Sequence, residues 1–273
     1  MFRDRGVEIK TPAQIDVMRA AGLVVAQTLE LLRTSVRAGM TTLELDRLAE
    51  ENIRSCGATP SFLGYGHPPF PGSICVSVND EVVHGIPGSR VIEEGDIVSI
   101  DCGAIVDGWH GDAALTVAVG AAPAPAEVLM QVTQEAMWRG IAAASLGGHV
   151  GDISHGVEQH VRGTSSFRIV QDYTGHGIGS AMHQPPSVPN HGKAGRGTRL
   201  VEGLALAVEP MIVAGDPWTH TDQDDWTVRT DDGQLAAHFE HTFTITSAGT
   251  WVLTALDGGE ARLAELGVPF GGR

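Results

Sequence analysis

Cysteine is scarce in this chain of 273 residues: Cys56, Cys75 and Cys102 are the whole complement, and none stands in a Cys-x-x-Cys spacing. An odd, scattered set argues against a disulfide framework or a structural zinc knuckle and fits a reducing compartment. Lysine is scarcer still, with only Lys10 and Lys193, and no basic run or stripe offsets a formal net charge of −15. A nucleic-acid backbone is therefore not the expected partner. No apolar run reaches the ~18–20 residues needed to span a bilayer, and the charged opening from Met1 to Gly6 lacks the apolar stretch of a signal peptide. The expectation is a cytoplasmic protein with no membrane attachment. What is present is ordinary for a soluble globular chain, 42% hydrophobic and 19% charged, long enough for one large domain or two small ones. The acidic stretches Asp222–Asp225 and Asp231–Asp232 read as solvated loops.

The pattern from Thr11 to about Arg37 is helical, with Thr11-Pro12 as cap and first-turn proline and Ile15, Met18, Leu23, Leu29 and Leu32 as its apolar stripe. Thr41 and Glu44 form a capping box that opens a second helix to about Ser55. Loop follows over 56–72, then strands near 73–79 and 97–119, with His84-Gly-Ile-Pro-Gly88 as a turn between them. The order recurs: a helix from Pro125 to about Leu146, a break at Gly147-Gly148, a helix capped by Asp152 to about Val161, and strands at 167–173, 203–213 and 236–254. The second helices are offset by roughly 110 residues, which suggests a duplication around one sheet. No linker separates the halves, so residues 1–273 are expected to form a single domain with lobes of about 11–120 and 124–255. The element order fits an α+β fold with a mostly antiparallel sheet.

Asp101 and Asp112 flank Asp107-Gly108, a two-residue hairpin signal. Centring the turn there sets Val106 opposite Trp109, Gly103 opposite Asp112 and Asp101 opposite Ala114. The two carboxylates then share a face as diagonal neighbours ~7–8 Å apart at Cα. Glu209 alternates with Ala205 and Ala207, opposite Leu204, Leu206 and Val208; Glu240 alternates with Thr242 and Thr244, opposite Phe239, Phe243 and Ile245. Acids that interrupt apolar strands are uncommon unless paired or metal-bound. Two unit charges ~4 Å apart at an effective dielectric of ~20 interact by about 4 kcal/mol, so a cluster of ionised acids calls for cations. His176 lies between glycines in Gly175-His-Gly-Ile-Gly179, a placement that alone reads as a loop residue; His84 and His183 also lie in loops, and His155 and His160 share a helix without facing each other.

Five segments occur in order: Asn79-Asp-Glu-Val-Val-His-Gly-Ile-Pro87, Ser99-Ile-Asp101 with His110-Gly-Asp112, Gly175-His-Gly-Ile-Gly179, Val208-Glu-Pro-Met211 and Phe239-Glu-His-Thr242. Together they resemble methionine aminopeptidase, bacterial type I, over about residues 11–254. The resemblance implies a duplicated pita-bread (creatinase/aminopeptidase-like) fold and removal of the initiator methionine from nascent proteins and peptides. It also implies two divalent ions (Co, Mn, Fe or Zn) on Asp101, Asp112, His176, Glu209 and Glu240. In that reading Asp112 and Glu240 bridge, Asp101 serves one ion, and His176 and Glu209 serve the other. Glu209 is the implied proton acceptor, and His84 and His183 contact substrate beside the scissile peptide. Aligned positions nominate Phe62, Tyr65, Phe70, Cys75, Met182 and Trp226 as the methionine pocket, though core packing would equally employ Phe62 and Met182.

Two departures from the family pattern stand out. The segment Tyr65–Cys75 is two residues longer than usual, leaving His67 without a role, and Met182 replaces a frequent aromatic. Within the same fold, X-Pro peptidases carry a large additional N-terminal domain, for which ten residues before the first helix leave no room. Only 26 positions separate His183 from Glu209, which favours type I over type II. A non-catalytic member binding nascent chains or RNA is the other alternative, and retention of all five ligands opposes it. The expected partner is a nascent chain at the ribosome, met by a monomer. Because the family favours a small second residue, Phe2 implies that this chain keeps Met1, which N-terminal mass analysis checks.

Overall fold

Thr11 accepts the Gln14 backbone N–H and Gln14 reaches back to the Thr11 N–H, so α1 (Pro12–Ser35) starts where the cap and first-turn proline place it. Thr41 and Glu44 close the same box on α2 (Thr42–Ser55). Along α1, Ile15, Met18, Leu29 and Leu32 are buried as expected, whereas Leu23 is only half-buried and Val25 lies in the core instead. The computed structural model describes residues 6–273; the charged opening, with Met1 and Phe2, lies outside the described residues.

After α2 come β1 (Thr59–Pro60), β2 (Ile74–Val78), β3 (Glu81–Val83), β4 (Ile97–Val106) and β5 (Trp109–Ala118), then α3 (Ala124–Ala143) and α4 (Val150–Thr164). The second lobe continues with β6 (Arg168–Ile169), β7 (Gly175–Gly177), β8 (Gln184–Val188), β9 (Ala205–Val208) and β10 (Met211–Val213). It ends with β11 (Thr219–Thr221), β12 (Val228–Thr230), β13 (Ala236–His238), β14 (Glu240–Thr246), β15 (Gly249–Val252) and α5 (Glu260–Glu265). Nine strands form the main sheet in the order β1-β4-β5-β14-β9-β7-β8, with β2 beside β4 and β15 beside β14, all antiparallel. The two lobes meet at the β5–β14 pairing. Val25, Leu29, Leu45 and Ile53 of the first helix pair pack against β2 and β4; Leu129, Met137, Ile153 and Val157 of the second pack against Leu206, Val208 and Phe243. The result is the expected α+β arrangement of an antiparallel sheet flanked by helices. Among the described residues no helix is long and apolar enough to cross a membrane.

Several expected elements are corrected in detail. The cap of α4 is His149, and Asp152 sits three residues on, where its carboxylate accepts the His149 and Gly195 N–H groups at 2.7 Å each. Asp152 thus forms the reciprocal half of a capping box instead of opening the helix. The strand expected over 167–173 shrinks to Arg168–Ile169. The runs 203–213 and 236–254 are each broken, the first at Glu209-Pro210, where proline has no N–H to give a ladder.

Candidate metal centre and apolar pocket

The hairpin forms in the register that its turn demands. Asp107 and Gly108 both take positive φ, 46° and 81°, as a two-residue turn of this kind requires, and Gly103 faces Asp112 while Asp101 faces Ala114. Ala114 in turn faces Glu240 across the lobe boundary, so Asp101, Ala114 and Glu240 form one row of the sheet. One step along, Thr242, Ala207 and His176 form the next row. Thr242 Oγ1 donates to the Asp112 carbonyl at 2.7 Å and accepts the Asp112 N–H at 3.2 Å, which locks these rows together. Side chains two apart share a face, so all five expected ligands converge over small residues (Gly103, Ala114 and Ala207) that leave room above the sheet.

His176 is on a strand, not in the loop that its flanking glycines suggest. A Cβ at Gly175 or at Gly177 would lie 2.3 Å from a carbonyl oxygen, that of Ala207 or Pro185, so glycine here marks tight strand packing. The His176 Nδ1–H donates to the Gly177 carbonyl at 3.0 Å, leaving Nε2 as a free acceptor, 3.4 Å from Glu209 Oε1 and 3.9 Å from Glu240 Oε1. Burial holds this imidazole down to about 3, hence neutral.

The acids are in the opposite condition. Burial pushes Asp101 up to about 7; Asp112, Glu209 and Glu240 are raised well above their usual range by burial and then by one another. Among the described residues these four have no Lys or Arg partner; imidazoles stand at ion-pair range of Glu209 and Glu240. Among the described residues, buried Asp101 Oδ1, Asp112 Oδ1 and Glu240 Oε1 have no hydrogen-bond partner. Oxygens of Asp112 and Glu240 group with a His176 nitrogen within 4.8 Å, as do those of Glu209 and Glu240 with His238. Buried, unpaired, convergent carboxylates with neutral imidazoles are a donor set that fits divalent cations.

Beside this centre Phe62, Phe70, Cys75 and Met182 form a separate apolar cluster, with Ile86 and Trp226 packed on it. Cys75 faces Asp101 directly across β2 and β4, which joins pocket to acids. One cavity of about 90 Å³ is lined by these residues other than Ile86, together with Tyr65, His84, His183 and all five expected ligands. The Tyr65 hydroxyl lies 2.7 Å from His183 Nδ1, and the His183 ring meets that of His176 edge-on at 4.4 Å. His84 takes positive φ, 61°, a costly conformation for a bulky residue that recurs at functional sites, and packs edge-on against Tyr173 and Trp226. Within the lengthened segment the Phe70 ring lies 5.2 Å from that of Trp226, and Trp226 Nε1–H donates to the Pro68 carbonyl at 3.1 Å. His67 is exposed and outside the cavity, and His155 and His160 remain on α4, apart from it.

Sequence reasoning missed two members, His238 and Ile86. His238 stands two residues before Glu240, the spacing that puts side chains on one face, and that signal was legible.

The sequence profile of Metallopeptidase family M24 matches residues 16–247. A protein of Clostridium acetobutylicum named methionine aminopeptidase is 48% identical over 247 residues, 90% of this chain and 98% of its own length. The chain belongs to the methionine aminopeptidases of metallopeptidase family M24. The family's fold is present as well: the crystal structure of methionine aminopeptidase from Rickettsia prowazekii superposes with a TM-score of 0.88 at 40% identity, covering 91% of this chain and 99% of that one. The prolidase of Pyrococcus furiosus shares the pita-bread fold alone, with a TM-score of 0.72 at 21% identity over 90% of this chain and 65% of its own. Membership makes the chain a peptide-bond hydrolase that uses divalent metal.

Proposed function

We propose that this chain releases N-terminal methionine from peptides and newly made proteins, with two divalent ions held by Asp101, Asp112, His176, Glu209 and Glu240. The observation that carries the reading is the row of unpartnered buried carboxylate oxygens opening onto an apolar pocket. Asp112 and Glu240, on neighbouring central strands, would be shared between the two ions; Asp101 would hold one of them, and His176 with Glu209 the other. Imidazole and carboxylate without thiolate suit Mn, Fe or Co at least as well as Zn. When bound, the ions supply Lewis acidity and a water of lowered pKa.

The remaining work falls to the chain's own groups. Phe62, Phe70, Cys75, Met182 and Trp226 offer a soft apolar wall to an unbranched thioether side chain. A free α-amine is drawn toward the acids, which makes the reaction exopeptidic. Glu209, beside the ions and lining the cavity, takes the proton released as water attacks. With the Tyr65 hydroxyl donating to Nδ1, His183 carries its proton on Nε2 and donates it as a hydrogen bond to the carbonyl oxygen as charge develops; His84 contacts the substrate from the other side. The whole chain acts as one catalytic domain, as a monomer in the cytoplasm, on chains leaving the ribosome. Three free cysteines, Cys56, Cys75 and Cys102, fit that compartment. The test is hydrolysis of a Met-Ala-Ser peptide and an Ala-Pro dipeptide by metal-stripped protein reloaded with Mn, Co, Fe or Zn. Methionine release that ceases with chelator is expected. Cleavage of Ala-Pro instead, or no turnover with any metal, contradicts the proposal.

A further inference from the structure

His238 has no place in the five-residue ligand set, yet it is built into the same centre. It closes β13 opposite Met211 of β10, and its backbone is clamped from β5: its N–H donates to Thr116 Oγ1 at 3.0 Å, and that hydroxyl donates to its carbonyl at 2.8 Å. The residue is 2% exposed, and Nε2 has no hydrogen-bond partner among the described residues. A buried ring nitrogen without a partner is costly, so its position calls for a ligand.

The direction of that nitrogen is informative. Nε2 lies 3.7 Å from Glu209 Oε2, while His176 Nε2 lies 3.4 Å from the other oxygen, Oε1, of the same carboxylate. The His238 nitrogen also groups with oxygens of Glu209 and Glu240 within 4.8 Å. A separation of 3.7 Å exceeds a hydrogen bond. It suits two donors on one cation: bonds of ~2.1 Å at a tetrahedral angle set their ends roughly 3.4 Å apart. Charge points the same way, because four carboxylates already balance two divalent ions and a neutral imidazole adds a donor without adding charge.

We propose that His238 is a sixth protein ligand of the centre, binding through Nε2 the cation that Glu209 and Glu240 hold. The assignment rests on the two-ion reading above. It gives that cation an imidazole on each side of Glu209, from β7 and from β13, and ties the β13–β14 bend to metal occupancy.

Nitrogen-15 NMR of the unmodified chain, labelled at histidine and titrated with Zn(II) alone, tests it without relying on a variant. Two ring Nε2 signals, assigned through His176→Ala and His238→Gln, are expected to move together to the metal-coordinated range. A coordinated shift for His176 with none for His238 overturns the proposal and leaves the two-ion reading standing. No coordinated shift in either ring, with no uptake of Zn(II), overturns both. Calorimetry supplies the second reading: His238→Gln should weaken the affected ion about 10–100-fold at unchanged fold by circular dichroism. An isotherm identical to that of the parent contradicts the assignment.

Discussion

Tyr65 and His183 show how single residues set the chemistry. One hydroxyl 2.7 Å from Nδ1 orients a ring that binds no metal in our account. Replacing His183 with Ala should therefore cut kcat/KM by roughly 10²-fold while metal content stays normal; kinetics paired with metal analysis checks this, and equal loss of metal contradicts the role. The acids titrate by their burial. A carboxyl raised in the folded state contributes stability that is full below its unfolded value and is lost as pH rises through the folded value, which for Asp101 is about 7. Neutral buried His176 and His238, held down to about 3, act the other way: their contribution is complete above the unfolded value of ~6.5 and is lost as pH falls below it. His84, His110 and His241, also held down by burial, act with them, and these imidazoles stop contributing to the slope about one pH unit above 6.5, where the raised acids come to dominate it. The melting temperature of the metal-free chain should then fall between about pH 7 and 8, and bound divalent ions should flatten the fall. A flat or rising metal-free profile contradicts the buried-acid account.

Among the elements, the turn joining β7 to β8 carries Met182 and His183, and it is held from a distance by the segment before α1. Glu8 accepts Ser180 N–H at 3.0 Å, Ser180 O–H at 2.7 Å and Gln184 Nε2–H at 2.9 Å, and the buried Lys10 ammonium stands 3.6 Å from it. Glu8→Ala should speed amide exchange over Ser180–Gln184 and lower kcat/KM by about tenfold with metal content unchanged. Unaltered exchange across that turn contradicts the clamp. The same elements mark where sequence is readable. The helices were legible because capping boxes at Thr11 and Thr41 are local chemistry, and the hairpin because Asp107-Gly108 admits one register. The strand holding His176 was not, since a single residue between two glycines looks like a loop until Ala207 and Pro185 close on those glycines. Asp152 misled for a related reason: a capping box can place its acid at either end.

For the whole molecule, the repeated helix–helix–strand order was visible in the sequence, whereas the meeting of Asp101 and Asp112 with Glu240 across the lobe boundary was not. No spacing along the chain predicts that pairing; it came from the family resemblance, and the β5–β14 register supplies its physical cause. His238 escaped because no motif named it, although its step of two from Glu240 was in view. The central claim is that side chains from both lobes clamp a pair of cations with Asp112 and Glu240 shared between them. Metal analysis of the parent, Asp112→Asn and Glu240→Gln, each loaded with excess Mn(II) and desalted, tests it most directly. The account predicts two ions per parent chain and loss at both positions in either variant. A parent that retains none, or a variant that keeps one ion at full occupancy, would contradict it.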